Sequence, residues 1–232
     1  MTASGVSKPR RLIVGVTGAT GSIYAIRLLQ ALRKTDVESH LVMSRWGART
    51  LMHETDFTLD QVRALADRSY KDNDQGAAIS SGSFVTMGMI ILPCSMKTLA
   101  DIAHGHSSDL VNRAADVVLK ERRRLVLAVR EAPFTEIHLE NMLKLSRMGV
   151  VISPPVPAFY NRPTSIEQIV DHTVARLLDL FDVQINTAER WDGVLGVGAP
   201  AIAAIKGAVK ISAAPKRVPK TSPSRRSKKT AS

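Results

Sequence analysis

The chain has 232 residues, 44% of them hydrophobic, enough for one core-forming domain with a tail. Its single cysteine, Cys94, excludes an internal disulfide framework and suits a reducing cytosol, and no apolar run approaches the roughly 20 residues of a membrane span. The formal net charge of +11 is concentrated at one end: nine Lys and Arg between Lys206 and Lys229 have no acidic residue among them, so the remainder is close to neutral and a nucleic-acid-binding body is not expected.

Residues 1–9 read as a loose arm without the apolar stretch of a signal peptide, which makes a cytoplasmic protein the expectation. Leu12–Val16 is an apolar strand. It runs into the turn Thr17-Gly18-Ala19-Thr20-Gly21-Ser22 and then a helix to about Lys34 carrying Ile23, Ile26 and Leu29. A glycine-rich turn ahead of a helix N-terminus suits an anion, typically a phosphate. The spacing Gly15-x-x-Gly18-x-x-Gly21 is neither the dinucleotide fingerprint nor a P-loop, and a turn that needs glycine only for packing is the plainer alternative.

Val37–Met43 is a second strand, ending at Ser44-Arg45. Residues 45–54 and 58–66 follow as helices, the latter capped by Thr58. Asp67–Ser83 is polar and reads as a long loop near the site. Met87–Leu92 is a buried-type strand, and Pro93-Cys94-Ser95-Met96-Lys97-Thr98 then repeats the strand-to-helix pattern with hydroxyls and a cation. Helices are expected over Met96–His104 and Leu110–Arg123, then a strand over Leu125–Val129 that delivers Arg130-Glu131. Thr135 opens a helix that Gly149 stops. Val150–Ile152 leads into a proline-stiffened loop with Tyr160, and Ser165 caps a helix to about Phe181. The domain is expected over 10–204, with a basic tail over 205–232 that cannot build a core.

Strands alternating with helices predict an α/β fold, a Rossmann-like or flavodoxin-like three-layer αβα sandwich with a parallel sheet. Ligands in such sheets sit beyond the carboxyl ends of the strands. Those ends gather Thr17–Ser22, Ser44-Arg45, Cys94–Thr98, Arg130-Glu131 and Pro154–Tyr160. Arg130 can fork onto an anion and Glu131 can move protons, or the two can form a structural ion pair. Arg176 lies off its helix's apolar stripe and acts only if another loop or subunit covers it. Cys94 reads as a buried structural thiol rather than a nucleophile. His104-x-His106 lacks the further ligands a metal site needs.

The stretches TGATGSIYAIRLL, Ser44 with Glu54-Thr55-Asp56, ILPCSMKTLADI, RAADVVLKERRRLVLAVREAP and PPVPAFYNRPTS together resemble the flavin prenyltransferases of the UbiX type, formerly described as aromatic-acid decarboxylase subunits. The resemblance spans roughly residues 10–192. It implies a dodecamer that binds FMN and dimethylallyl phosphate and joins the prenyl group to N5 and C6 of reduced flavin. The product, prenylated FMN, would serve a UbiD-type decarboxylase, and no metal would be required. By motif, Gly18, Ala19, Thr20, Ser44, Ser95, Met96, Lys97, Thr98 and Arg130 would contact the flavin. Lys120, Arg130, Tyr160 and Arg176 would hold the dimethylallyl phosphate. Thr20, Glu54 and Glu131 would be polar catalytic groups, and Trp191 an aromatic wall. Thr20 replaces the serine usual in the family's turn.

Three other readings are open to this sequence. A nicotinamide-dependent reductase is allowed by the opening turn, and Arg45 could accept a 2′-phosphate. It lacks the Tyr-x-x-x-Lys pair, since Leu28, Asp74 and Thr164 stand four residues after Tyr24, Tyr70 and Tyr160. A flavin-dependent cysteine decarboxylase needs a catalytic His and motifs that are missing here. A non-catalytic flavin-binding subunit would leave Lys120, Glu131, Tyr160 and Arg176 unexplained.

Overall fold

A computed structural model describes residues 10–185. The expected arm, the basic tail and Trp191 lie outside the described residues.

Six parallel strands form one sheet in the order β3-β2-β1-β4-β5-β6: β1 Arg11–Val16, β2 Glu38–Met43, β3 Arg68–Tyr70, β4 Gly88–Cys94, β5 Arg124–Val129 and β6 Val151–Ile152. The strand order reverses between β1 and β4, so a crevice opens at their carboxyl ends. Both central strands are near-continuous apolar runs because helices cover both faces of the sheet. Alternate side chains divide between two cores. Leu12, Val14, Ile90 and Leu92 pack with α1 (Ser22–Leu32) and α7 (Ile166–Asp179). Ile13, Met89 and Ile91 pack with α4 (Met96–His104), α5 (Leu110–Lys120) and α6 (Glu136–Arg147). Two short helices, α2 (Arg45–Glu54) and α3 (Leu59–Arg63), follow β2.

The caps expected at Thr58, Thr135 and Ser165 are present, and Ser95 acts in the same way: each accepts a backbone N–H of the helix it opens. Two expectations need correction. Residues 67–83 are not all loop, because Arg68–Tyr70 pairs with β2 as an edge strand. Three residues are too few to show a period. What pins them is Asp67, whose carboxylate accepts from the backbone N–H and the hydroxyl of Ser39 at 2.7 and 2.8 Å. The helix expected to Arg123 ends at Lys120, and Arg122 turns the chain with φ 52°. Arg123 then donates to the carbonyls of Phe84 and Gly82 at 2.8 and 2.6 Å, so it anchors a loop rather than a helix dipole. Among the described residues no helix is long and apolar enough to cross a membrane.

Candidate active site

The turn between β1 and α1 holds the first surprise. Gly21 adopts φ 104°, a left-handed conformation that a side chain would strain. It presents the amides of Gly21 and Ser22, and both donate to the carboxylate of Glu54 at 2.9 Å. Burial tends to raise the Glu54 pKa. Hydrogen bonds from the Thr20 hydroxyl and from these amides outweigh it and hold the carboxyl below its ordinary range. The amides that the sequence offers to an outside phosphate are therefore occupied by the chain's own anion. The same contact brings Thr20 and Glu54 together across 34 residues of sequence.

Thr17 links this turn to the next strand end. Its buried hydroxyl donates to the Pro93 carbonyl at 2.8 Å and accepts from the Ser95 amide at 2.8 Å. The carboxyl ends of β1 and β4 are thus held at a set spacing, and a cavity of about 310 Å³ opens beside them. Gly18, Ser44, Ser95, Lys97 and Thr98 line it, joined by Arg45, Trp46, Asp72 and Asp109. A side chain at position 18 would bring its Cβ to 2.7 Å from that of Trp46, so glycine is required where α2 approaches. Ser95 caps α4, accepting from the Thr98 amide at 3.3 Å, and its hydroxyl lies 3.1 Å from that of Thr98. Lys97 donates to Asp101 at 2.6 Å, and this bond raises its pKa.

Sequence reasoning missed Trp46, Asp72 and Asp109. Trp46 is 64% exposed, with the Arg49 guanidinium 5.1 Å from its ring centroid. Asp72 accepts from the Arg45 amide at 3.0 Å, and its carbonyl accepts from the Leu110 amide at 2.6 Å, drawing the 67–83 segment to the cavity. Asp109 also caps α5 through the Asn112 amide. The exposed tryptophan directly after a strand end was the one legible signal. Hydroxyls, a cation, a helix N-terminus and an exposed aromatic plane suit a planar ring system with an anionic arm.

The remaining candidates are distributed. The Arg130 amide donates to the Cys94 carbonyl at 3.0 Å, which places its backbone beside Ser95. Glu131 is exposed, and its carboxylate accepts from the Ala132 amide at 3.1 Å. Met96 is half-buried against the α4–α5 core, and Ala19 is half-buried in the first turn. Lys120 stands at the far end of α5 from Asp109, roughly 16 Å along the helix axis. It pairs with Glu121 and lines a different cavity, of about 610 Å³, with Arg122, Arg123 and Lys144. Tyr160 meets His172 at 2.8 Å, and Arg176 donates to Asp179 at 2.7 Å. Burial pushes the Cys94 thiol far above its ordinary pKa, as a structural thiol requires. Among the described residues no three metal-ligating side chains cluster.

Residues 2–178 match the model of a family described as Flavoprotein. The flavin prenyltransferase LpdB of Lactiplantibacillus plantarum is 53% identical over 185 residues, 79% of this chain and 99% of that protein. A crystal structure of AnUbiX (PadA1) in complex with FMN and dimethylallyl pyrophosphate superposes with a TM-score of 0.80 at 55% identity, covering 81% of this chain and all of the other. A dodecameric FMN-dependent UbiX-like decarboxylase from Escherichia coli O157:H7 superposes with a TM-score of 0.78 at 58% identity, over 79% of this chain and all of that one.

Proposed function

This chain belongs to the flavoprotein family and, within it, to the flavin prenyltransferases of the UbiX type, and from that membership we infer that it joins a dimethylallyl group from dimethylallyl phosphate to N5 and C6 of reduced FMN. The observation that carries the reading is the 55% identity, over 81% of this chain, to a structure that holds both FMN and a dimethylallyl donor. The product is prenylated FMN, destined for a UbiD-type decarboxylase.

The cavity at the β1/β4 crevice fits a flavin. Gly18 lets α2 approach closely, Trp46 offers an aromatic plane, and Ser44, Ser95, Thr98 and Lys97 present hydroxyls and a cation. Reduced flavin supplies the nucleophilic ring positions. Everything else falls to the chain's own residues. Lys120, Arg130, Tyr160 and Arg176 hold the phosphate of the donor. As the allylic C–O bond breaks, negative charge grows on that phosphate, where cations and a phenol hydroxyl stabilise it most. Glu131 assists proton transfer after the C–C bond forms. Glu54 accepts the Thr20 hydroxyl proton and so leaves that oxygen's lone pairs for the flavin edge. Ala19, Met96 and Trp191 complete the set by motif, Trp191 as an aromatic wall that excludes water.

Lys120 cannot reach the cavity of its own chain along α5, so it serves the cavity of another copy. A homo-oligomer, with the dodecamer as its form, is therefore part of the proposal. A cytoplasmic setting is also part of it, in keeping with a chain whose one cysteine, Cys94, has no second cysteine to pair with.

The test is the mass and absorbance of the flavin after anaerobic incubation with reduced FMN and dimethylallyl phosphate, with the diphosphate in parallel. A flavin heavier by one C5 unit is expected with the monophosphate. Unmodified, tightly bound FMN would instead identify a flavin-carrying subunit, and absence of flavin binding would revive the nicotinamide reading.

A further inference from the structure

We propose that His172 is a positioning residue for Tyr160: its Nε2–H donates to the Tyr160 hydroxyl oxygen and so directs the phenol's own proton at the phosphate of the prenyl donor. This rests on the reading above that Tyr160 holds that phosphate.

Tyr160 lies in the segment from Ser153 to Ser165, which forms neither helix nor strand between β6 and α7. The residue is 51% exposed. His172 is the opposite case, 7% exposed within α7, whose neighbouring residues Val170, Val174 and Ala175 are core. Oη and Nε2 are 2.8 Å apart, and the two rings meet edge to face at 79° with centroids 5.5 Å apart. A rigid, buried ring on a helix thus grips a side chain on irregular backbone. Arg176 follows one turn later on the same face, so the helix sets the phenol and a second phosphate ligand in register.

The direction of the bond follows from the anion. A phenol has one proton and an oxygen that also accepts. If Nε2 were the acceptor, the phenol proton would point at the ring and only lone pairs would face the phosphate, which is repulsive. With Nε2–H as donor, the oxygen is polarised and its proton is left for an acceptor other than the ring, a relay in which each bond strengthens the next. Burial, and then the positive charge of Arg176, lower the His172 pKa. The ring is therefore neutral at pH 7 and free to take the Nε2–H tautomer.

The experiment compares wild type, Tyr160→Phe, His172→Phe, His172→Gln and Tyr160→Phe/His172→Phe by steady-state kinetics, FMN affinity and thermal midpoint. His172→Phe should raise KM for dimethylallyl phosphate about five- to tenfold while FMN affinity is retained. His172→Gln, whose amide keeps an N–H donor, should return KM to within about twofold of wild type. The double variant should be no worse than Tyr160→Phe alone. Unchanged KM in His172→Phe, additive losses in the double variant, or a folded, FMN-binding His172→Gln with KM still raised would each overturn the proposal; this last comparison decides the matter if His172→Phe does not fold. Two further outcomes assign failure elsewhere and overturn the inference with it. A wild type that forms no prenylated flavin refutes the functional reading, and an unimpaired Tyr160→Phe refutes the role of the phenol.

Discussion

At the scale of single residues, the pair Thr20 and Glu54 has the clearest consequences. A hydroxyl at position 20 gives Glu54 a hydrogen bond, and a β-branched side chain has few rotamers in which to do so. Thr20→Ser should retain activity, whereas the isosteric Thr20→Val should lose on the order of tenfold or more in kcat/KM. Equal rates for all three proteins would remove the hydroxyl from the mechanism. Glu54 also links the turn to pH. Its carboxyl titrates lower in the folded chain than its ordinary 4.5, so it stabilises the fold above that value, and the contribution fades as pH falls through the lower folded pKa. Glu54→Gln should lower the unfolding free energy at pH 7 by about 1 kcal/mol, a modest figure because the carboxylate faces solvent. The gap between variant and wild type in urea denaturation should close on acidification below the ordinary value. A gap that stays constant down to the acid limit would show that the charge is not what Gly21 and Ser22 need.

At the scale of elements, helix caps divide into those that only build the fold and those that also face the cavity. Ser95 and Thr58 perform the same local task, accepting an amide of the helix they open. Either alanine substitution should cost about 1 kcal/mol in denaturant unfolding. Only Ser95 lines the cavity. Ser95→Ala should therefore also weaken FMN binding by about tenfold, with Thr58→Ala leaving it unchanged in fluorescence titration. Parallel losses of FMN affinity in both would mean that the effect is global softening rather than contact. Legibility differed in the same way. The caps were readable because their chemistry is local. The edge strand Arg68–Tyr70 was not, since its partner β2 lies about 28 residues away along the chain.

At the scale of the whole molecule, the proposed role of Lys120 as a ligand of the donor phosphate, set against its place at the far end of α5 from the crevice, calls for a second copy of the chain. Lys120→Ala and Ser95→Ala chains, each impaired alone, should regain activity when dissociated and reassembled together, because some cavities then combine an intact Ser95 with an intact Lys120 from another chain. Reassembled mixtures no better than their parents would place both residues in one chain's site. The charged end of the chain is a separate matter. Truncation after Ala204 removes the nine-cation segment, and should abolish binding to heparin or DNA at low salt while prenyl transfer proceeds at the wild-type rate.

The sequence by itself determined the alternation of strands and helices, the apolar runs of β1 and β4, the caps, and the motifs by which the family is known, because each depends on spacing along the chain. Only the tertiary structure decided what the strand ends do together. Glu54 fills the helix N-terminus that the glycine turn advertised, Thr17 bridges β1 to β4, and Asp72 draws a remote loop to the cavity. Lys120 faces away, and Tyr160 rests on a buried histidine that its own segment does not announce. The reason is physical: periodicity and capping are local, whereas a hydrogen bond between residues dozens of positions apart exists only after the sheet has ordered its strands and brought their ends to one edge.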